Sequence, residues 1–268
     1  MSELVARTLN STEIMPRTVH TVAEWQALRA AHLAAGRSVG FVPSMGALHE
    51  GHLSLCRAAR KDHEVVLVSI FVNPTQFDEA QDFEAYPRTF ETDAKTLGDV
   101  GVDVIFAPSV KEMYPNGTRY AVFENELSRE LCGAHRPGHF SGMLTVVLKL
   151  LQIAGADAAY FGEKDFQQLL LIRGLCEAFF VQTRIIACPT VREADGLAMS
   201  SRNARLTPAE RALAPRFHAV LITAPTAVEA SKQLSAAGFV VDYVEDRDGR
   251  RFGAIRLGQT RLIDNVAR

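Results

Sequence analysis

VGFVPSMGALHEGHLSL, residues 39–55, is the stretch whose reading decides the fold. Its first residues are apolar and include β-branched and aromatic side chains, so 38–42 reads as a buried strand whose run ends at Pro43. Glycines at 46 and 51 let the backbone turn tightly beside a ligand, and His49-x-Gly-His52 falls where an amphipathic helix, 51–62, begins. A helix start carries unpaired N–H groups and partial positive charge, and two imidazoles beside it can donate to phosphate oxygens. Strand, turn and helix in this order predict a triphosphate site. The histidines could instead be a surface pair or two metal ligands; a spacing of three with no third ligand nearby weighs against the metal.

Outward from this stretch the same alternation continues. Strands are expected at 64–72, 103–107, 158–162 and 183–187, with helices at 22–35, 88–98, 141–154 and 165–179. In the last of these helices Phe166, Leu169, Leu170, Ile172 and Leu175 fall at helical spacing, which leaves its polar first turn for ligand. The pattern is that of an α/β protein with a parallel sheet. Beyond Thr190 it changes to one helix, 208–222, then short strands near 239–244, 252–257 and 261–263, so a small α+β domain is expected at 190–268 after a larger domain at 1–189.

Composition narrows the function. The 268 residues are 47% hydrophobic, enough for a sizeable core, and 31 acidic residues nearly balance 29 Lys and Arg. No strong field attracts a polyanion, so nucleic acid is not an expected partner and small-molecule chemistry is. Cys56, Cys132, Cys176 and Cys188 form no C-x-x-C pair and read as buried thiols of a reducing compartment. The first fifteen residues hold no continuous apolar run, and the apolar run at 65–72 is too short to span a bilayer; the expectation is a cytoplasmic protein with no membrane partner.

Two further stretches carry chemistry. In FGEKDFQQL, 161–169, a second strand end meets a second helix start: Lys164 can place a charge on a phosphate, and Asp165 can cap the helix or hold a sugar or a metal ion. A solvated, capped helix end is the equally plain alternative. In READGLAMSSRNARL, 192–206, two serines between Met199 and Arg202 offer hydroxyl donors and a guanidinium fork suited to a pyrophosphate leaving group, or else an ST-turn feeding the next helix. Neither G-x-x-x-x-G-K-[ST] nor G-x-G-x-x-G occurs, which removes the main support for the common kinase and dinucleotide readings.

H-x-G-H after the first strand of this alternation and M-S-S near 200 together resemble the paired signatures of the class I aminoacyl-tRNA synthetase and nucleotidyltransferase superfamily. PSMGALHEGHLSL, FVNPTQF, YPRT, RPGHFSG, GEKDFQQL, DGLAMSSRN and TRLIDN also occur in the order and spacing of the pantoate–β-alanine ligase family, covering 39–265. The resemblance implies a Rossmann-like nucleotide-binding domain with a smaller lid domain. It also implies ATP-dependent ligation of pantoate and β-alanine through a pantoyl-adenylate, with ATP as co-substrate, Mg²⁺ on unidentified ligands, and a homodimer.

Carried over residue by residue, the resemblance implies an ATP site of Met45, Gly46, Ala47, Leu48, His49, Glu50, Gly51 and His52, completed by Gly162, Glu163, Lys164, Asp165, Val191, Met199, Ser200, Ser201 and Arg202. His52 stands at the family's proton donor, and His49 and Lys164 would share the catalytic work with it. Gln76 corresponds to a glutamine contacting both pantoate and β-alanine, and Gln168 to a second pantoate glutamine. Amides suit this substrate, since they donate and accept without adding charge that would weaken the attacking carboxylate. Arg136 would guide a substrate carboxylate. Ser44 stands where the family has threonine, Met143-Leu144 where it has Val-Ala, and the part after Leu206 is shorter than usual.

Two rivals differ in what they require. Another nucleotidyltransferase acting on a phosphorylated substrate would want cations where Gln76 and Gln168 stand. An RNA-binding relic of a tRNA synthetase would want a basic face or an anticodon-binding domain.

Overall fold

The computed structural model describes residues 15–77 and 83–268. The first fourteen residues, part of the expected larger domain and of the reading that placed the protein in the cytoplasm, lie outside the described residues. Six parallel strands form one sheet: β1 (Arg17–Val19), β2 (Val39–Ser44), β3 (Val65–Ile70), β4 (Val104–Phe106), β5 (Ala158–Gly162) and β6 (Arg184–Cys188), in the order β1-β4-β3-β2-β5-β6. All five interior and C-terminal strands lie within about two residues of their expected bounds. The strand Arg17–Val19 was not expected; three residues show no period, and it exists because Arg17 to Val19 align with Val104 to Phe106.

Alternation along the strands builds two cores, one on each face. Phe41, Leu67, Ala159 and Phe161 point to the face covered by α1 (Val22–Ala34), the helix His139–Ala154 and the helix Phe166–Ala178. Val42, Val66, Val68 and Tyr160 point to the face covered by α2 (Glu50–Asp62) and α3 (Phe90–Asp99). Fully buried Trp25 ties α1 across the first face by donating Nε1–H to Ile153 O (3.1 Å) and Ala154 O (3.2 Å). In Phe166–Ala178 the buried stripe is Leu169, Leu171, Ile172, Leu175 and Cys176; Phe166 and Leu170, expected inside, are only partly covered.

Beyond β6 lies a separate three-stranded antiparallel sheet, β7 (Val240–Arg247), β8 (Arg250–Leu257) and β9 (Thr260–Ala267), with its own core around Phe217, Leu221, Leu234 and Ile255. These strands run longer than expected. The single helix expected at 208–222 is two, Pro208–Leu213 and Pro215–Thr223, because Pro215 has no N–H to continue the first. A further helix, Ala227–Ala236, was missed. The four cysteines are free and buried, as expected.

In a doubly wound sheet, ligands bind at the carboxyl ends of the strands where the order reverses. Here that point lies between β2 and β5, which pair through Gly40–Ala158 and Phe41–Ala159, with β3 beyond one and β6 beyond the other. The two stretches picked out as phosphate-binding leave the sheet side by side at that point.

Candidate active site

The turn after β2 is held from below. Gly46 has φ +81° and Ala47 φ +50°, and the buried carboxylate of Asp93 accepts from Ala47 N and Leu48 N at 2.9 Å each and from Thr89 Oγ1 at 3.0 Å. A side chain at Gly46 would be strained by that φ and would press on Asp93. Asp93 was not singled out in the sequence, yet it shapes the whole 46–48 segment.

His49 caps α2 with its ring: Nδ1 accepts from Gly51 N at 3.1 Å, while His52 Nδ1 takes a long contact, 3.4 Å, from His49 N. A backbone N–H can only donate, so both Nδ1 atoms are acceptors and both rings carry their proton on Nε2. The rings lie 4.1 Å apart, centre to centre. Burial, then the charge of Lys164, depresses the His49 pKa; burial, then its neighbour His49, brings His52 down to about 3. Two neutral N–H donors therefore border the cleft, and one of the N–H groups at the helix start, that of Gly51, is taken by His49. Gly51 must lack a side chain, because a Cβ there would lie 2.8 Å from the His49 ring. Glu50 turns away to an exposed ion pair with Arg57.

After β5 the chain makes a 3₁₀ turn, Glu163–Asp165, before the helix Phe166–Ala178. Asp165 sits at the N-cap but makes no capping bond; its carboxylate lies 3.5 Å from Lys164 Nζ. Burial opposes its charge, but Lys164 and Arg202 outweigh that and hold the carboxyl below its usual range. The capping half of the plain reading does not hold, although the Asp165 side chain is partly exposed.

His49, His52, Gly162, Lys164, Asp165, Val191, Met199, Ser200, Ser201 and Arg202 line a cavity of about 240 Å³ together with Met45, Gly51, Gln76 and Gln168. Gly46, Ala47, Leu48, Glu50 and Glu163 do not line it. A larger cavity of about 470 Å³ opens toward the small domain and shares Lys164, Asp165, Gln168, Ser200 and Arg202 with the first, so the two are compartments of one cleft. Arg136 lines the larger compartment only.

Gln76 ends the 3₁₀ turn Pro74–Gln76. Its Oε1 accepts from Asn73 Nδ2 at 3.2 Å and its Nε2 donates to Met45 Sδ at 3.0 Å, so the amide is oriented. Arg136 Nη1 donates to His139 Nε2 at 3.1 Å, which leaves His139 Nδ1–H to donate to Gln76 O at 2.7 Å. Ser44, in the threonine position, donates to Ser69 O at 2.8 Å and accepts from Gly46 N at 3.3 Å, so the hydroxyl keeps a structural task. Met143 and Leu144 are buried, and Met143 forms part of the smaller compartment's wall. Adjacent Gln167 borders the larger compartment, but its amide is tied to the backbone: it accepts from Cys132 N and donates to Leu127 O and Glu130 O, and of the two glutamines Gln168 alone lines the smaller compartment.

Comparison with known proteins identifies the family. The model of the pantoate–β-alanine ligase family fits residues 17–267. A pantothenate synthetase of Bdellovibrio bacteriovorus is 52% identical over 94% of this chain and 99% of its own, and one of Legionella pneumophila (strain Corby) is 46% identical over 92% and 97%. Among solved structures, the Francisella tularensis pantoate–β-alanine ligase complexed with β,γ-ATP and β-alanine superposes with TM-score 0.89 at 41% identity, over 94% of this chain and 97% of that one. The Thermus thermophilus enzyme superposes with TM-score 0.85, also at 41% identity, over 94% and 99%. By sequence, by fold and by the order of its motifs, the chain belongs to the pantoate–β-alanine ligase family.

Proposed function

We propose that the cleft at the β2–β5 switch point carries out the family's ATP-dependent ligation of pantoate and β-alanine in two displacements. In the first, the pantoate carboxylate attacks the α-phosphorus of ATP, an oxygen–phosphorus bond forms, the α–β bridge breaks, and pyrophosphate leaves. In the second, the β-alanine nitrogen attacks the acyl carbon, AMP leaves, and the nitrogen gives up a proton. The observation that carries this reading is convergence: His49, His52, Lys164, Ser200, Ser201 and Arg202 border the same 240 Å³ space as Gln76 and Gln168.

The first step asks for positioning and for donors where charge moves onto pyrophosphate. Lys164 and Arg202 supply positive charge, and the neutral Nε2–H groups of His49 and His52 supply hydrogen bonds that need no proton uptake. Ser200 Oγ accepts from Arg202 N at 3.2 Å, which leaves its O–H to donate outward. Met45, Gly162, Val191 and Met199 form the apolar and backbone walls for the nucleoside. Gln76 and Gln168 face the hydroxyls and carboxylate of pantoate, against an apolar wall of Phe71, Met143 and Val147 that suits its two methyl groups. Arg136, in the wider compartment, is placed to draw in the β-alanine carboxylate.

Among the described residues no three His, Cys, Asp or Glu side chains converge as a metal site. Asp165, the carboxylate in the lining of the smaller compartment, would help hold a Mg²⁺ ion brought in with the triphosphate, and that ion would neutralise charge on the leaving group. We place the domain boundary at residues 189–190, after β6. Free buried cysteines support a reducing, cytoplasmic setting. Tyr120 and Phe123, 80% and 71% exposed, support a homodimer that covers them. Steady-state AMP formation with a panel of hydroxy acids and amines tests the assignment: pantoate with β-alanine should support turnover, and a phosphorylated acid preferred over pantoate would replace it with a nucleotidyltransferase.

A further inference from the structure

Asn265, in β9 of the small sheet, is 4% exposed and reaches across to the large domain. Its Nδ2 donates to Glu163 O and to Lys164 O, both at 2.9 Å. Those are the two carbonyls that bracket Lys164: one belongs to the peptide entering the residue, the other to the peptide leaving it. Fixing both peptide planes fixes φ and ψ of Lys164, and with them the direction in which its side chain departs. The orientation of the Asn265 amide is itself set, because Arg250 donates to Oδ1 and so turns the NH₂ toward the carbonyls.

Arg250 also stacks over the ring of Phe166, 3.9 Å from its centroid, on the first residue of the helix that follows the turn. Next along β9, buried Asp264 accepts two bonds from Arg192 (2.7 and 2.9 Å) and one contact from His218 Nδ1 (3.1 Å), which anchors the strand at the point where Asn265 projects. Asn265 borders the wider compartment, but both N–H bonds of its amide are spent on the two carbonyls and Arg250 occupies one lone pair of Oδ1, so it has no donor left for a ligand.

We propose that Asn265 is a positioning residue for adenylation, acting through the backbone of Lys164, and that it makes the lysine's aim depend on the seating of the small domain. The inference rests on the assignment of Lys164 to the phosphates. It gives the last residue of TRLIDN a task other than contact with substrate.

A double-mutant cycle tests it, read by single-turnover pyrophosphate release with saturating ATP and pantoate and no β-alanine. Asn265→Ala should slow release about tenfold, the scale of one or two lost hydrogen bonds, with the KM for pantoate changed less than about twofold. In a Lys164→Ala background the same substitution should change the rate by less than about twofold, since there is no ammonium left to aim. A tenfold loss that persists in that background, or no loss in either, overturns the proposal; a purely structural role predicts the first. Should Lys164→Ala by itself leave the rate intact, the phosphate assignment of Lys164 falls, a result distinct from additivity. Asn265→Asp, which keeps the volume and the Arg250 partner but turns acceptors on the two carbonyls, runs the same cycle if the alanine variant fails to fold.

Discussion

Asn73 Nδ2 donates to Gln76 Oε1 at 3.2 Å, and Asn73 Oδ1 in turn accepts from Tyr114 OH at 2.7 Å and Thr75 Oγ1 at 3.0 Å. Gln76, the glutamine proposed to face pantoate, is therefore one end of a polar chain reaching back to Tyr114. Removing the chain should act like loosening the glutamine.

Gln76→Leu should weaken pantoate by about 1–3 kcal/mol per hydrogen bond lost and leave ATP nearly untouched. Asn73→Ala should produce a smaller loss in the same direction, because the amide remains but is free to rotate. Calorimetric titration of each ligand checks both. ATP affinity falling as far as pantoate affinity would contradict separate subsites.

Asp93 presents a sharper stability test. Asp93→Asn keeps the shape but turns an NH₂ toward an amide N–H of Ala47 or Leu48, which leaves a buried donor unpaired at a cost of about 1–3 kcal/mol. The urea midpoint should drop accordingly, and ATP binding should weaken with it since the 46–48 turn loses its support. Unchanged stability and unchanged ATP affinity together would show that the turn holds its own shape.

His52 predicts a pH dependence. Burial holds its folded pKa near 3, against 6.5 for the free side chain. Between those values the unfolded chain binds more protons, so the contribution is complete above pH 6.5 and is lost as pH falls toward 3, at up to about 1.4 kcal/mol per unit. Stability of the ligand-free protein, measured by denaturant titration from pH 7 to 4, should therefore fall more steeply than that of His52→Gln. Parallel curves would mean that His52 titrates normally in the folded state.

The readable part of this molecule is the part written in local order. Pro43, the H-x-G-H pair, Lys164 and the 199–202 loop each sit where a strand or loop hands over to a helix, so strand–turn–helix grammar located them. Asp93 could not be read, because it is an ordinary helix residue until the fold brings Ala47 and Leu48, some 45 residues away in sequence, against it. Asn265 shows the same limit across domains. The helix Ala227–Ala236 did carry a signal: Thr226 caps it by accepting from Glu229 N, the T-x-x-E spacing that opens helices, but a stripe of only Ala230 and Leu234 hid it.

The central claim is that an adenylate forms before the amine is used, with Lys164 at the phosphates. Enzyme mixed with ATP, Mg²⁺ and pantoate, without β-alanine, should release pyrophosphate in an amount close to one per active site and then stall on pantoyl-adenylate. Lys164→Ala, folded to the same thermal midpoint, should slow that burst by roughly a hundredfold or more. Pyrophosphate that appears only once β-alanine is added, or ADP and phosphate in place of AMP and pyrophosphate, would contradict it.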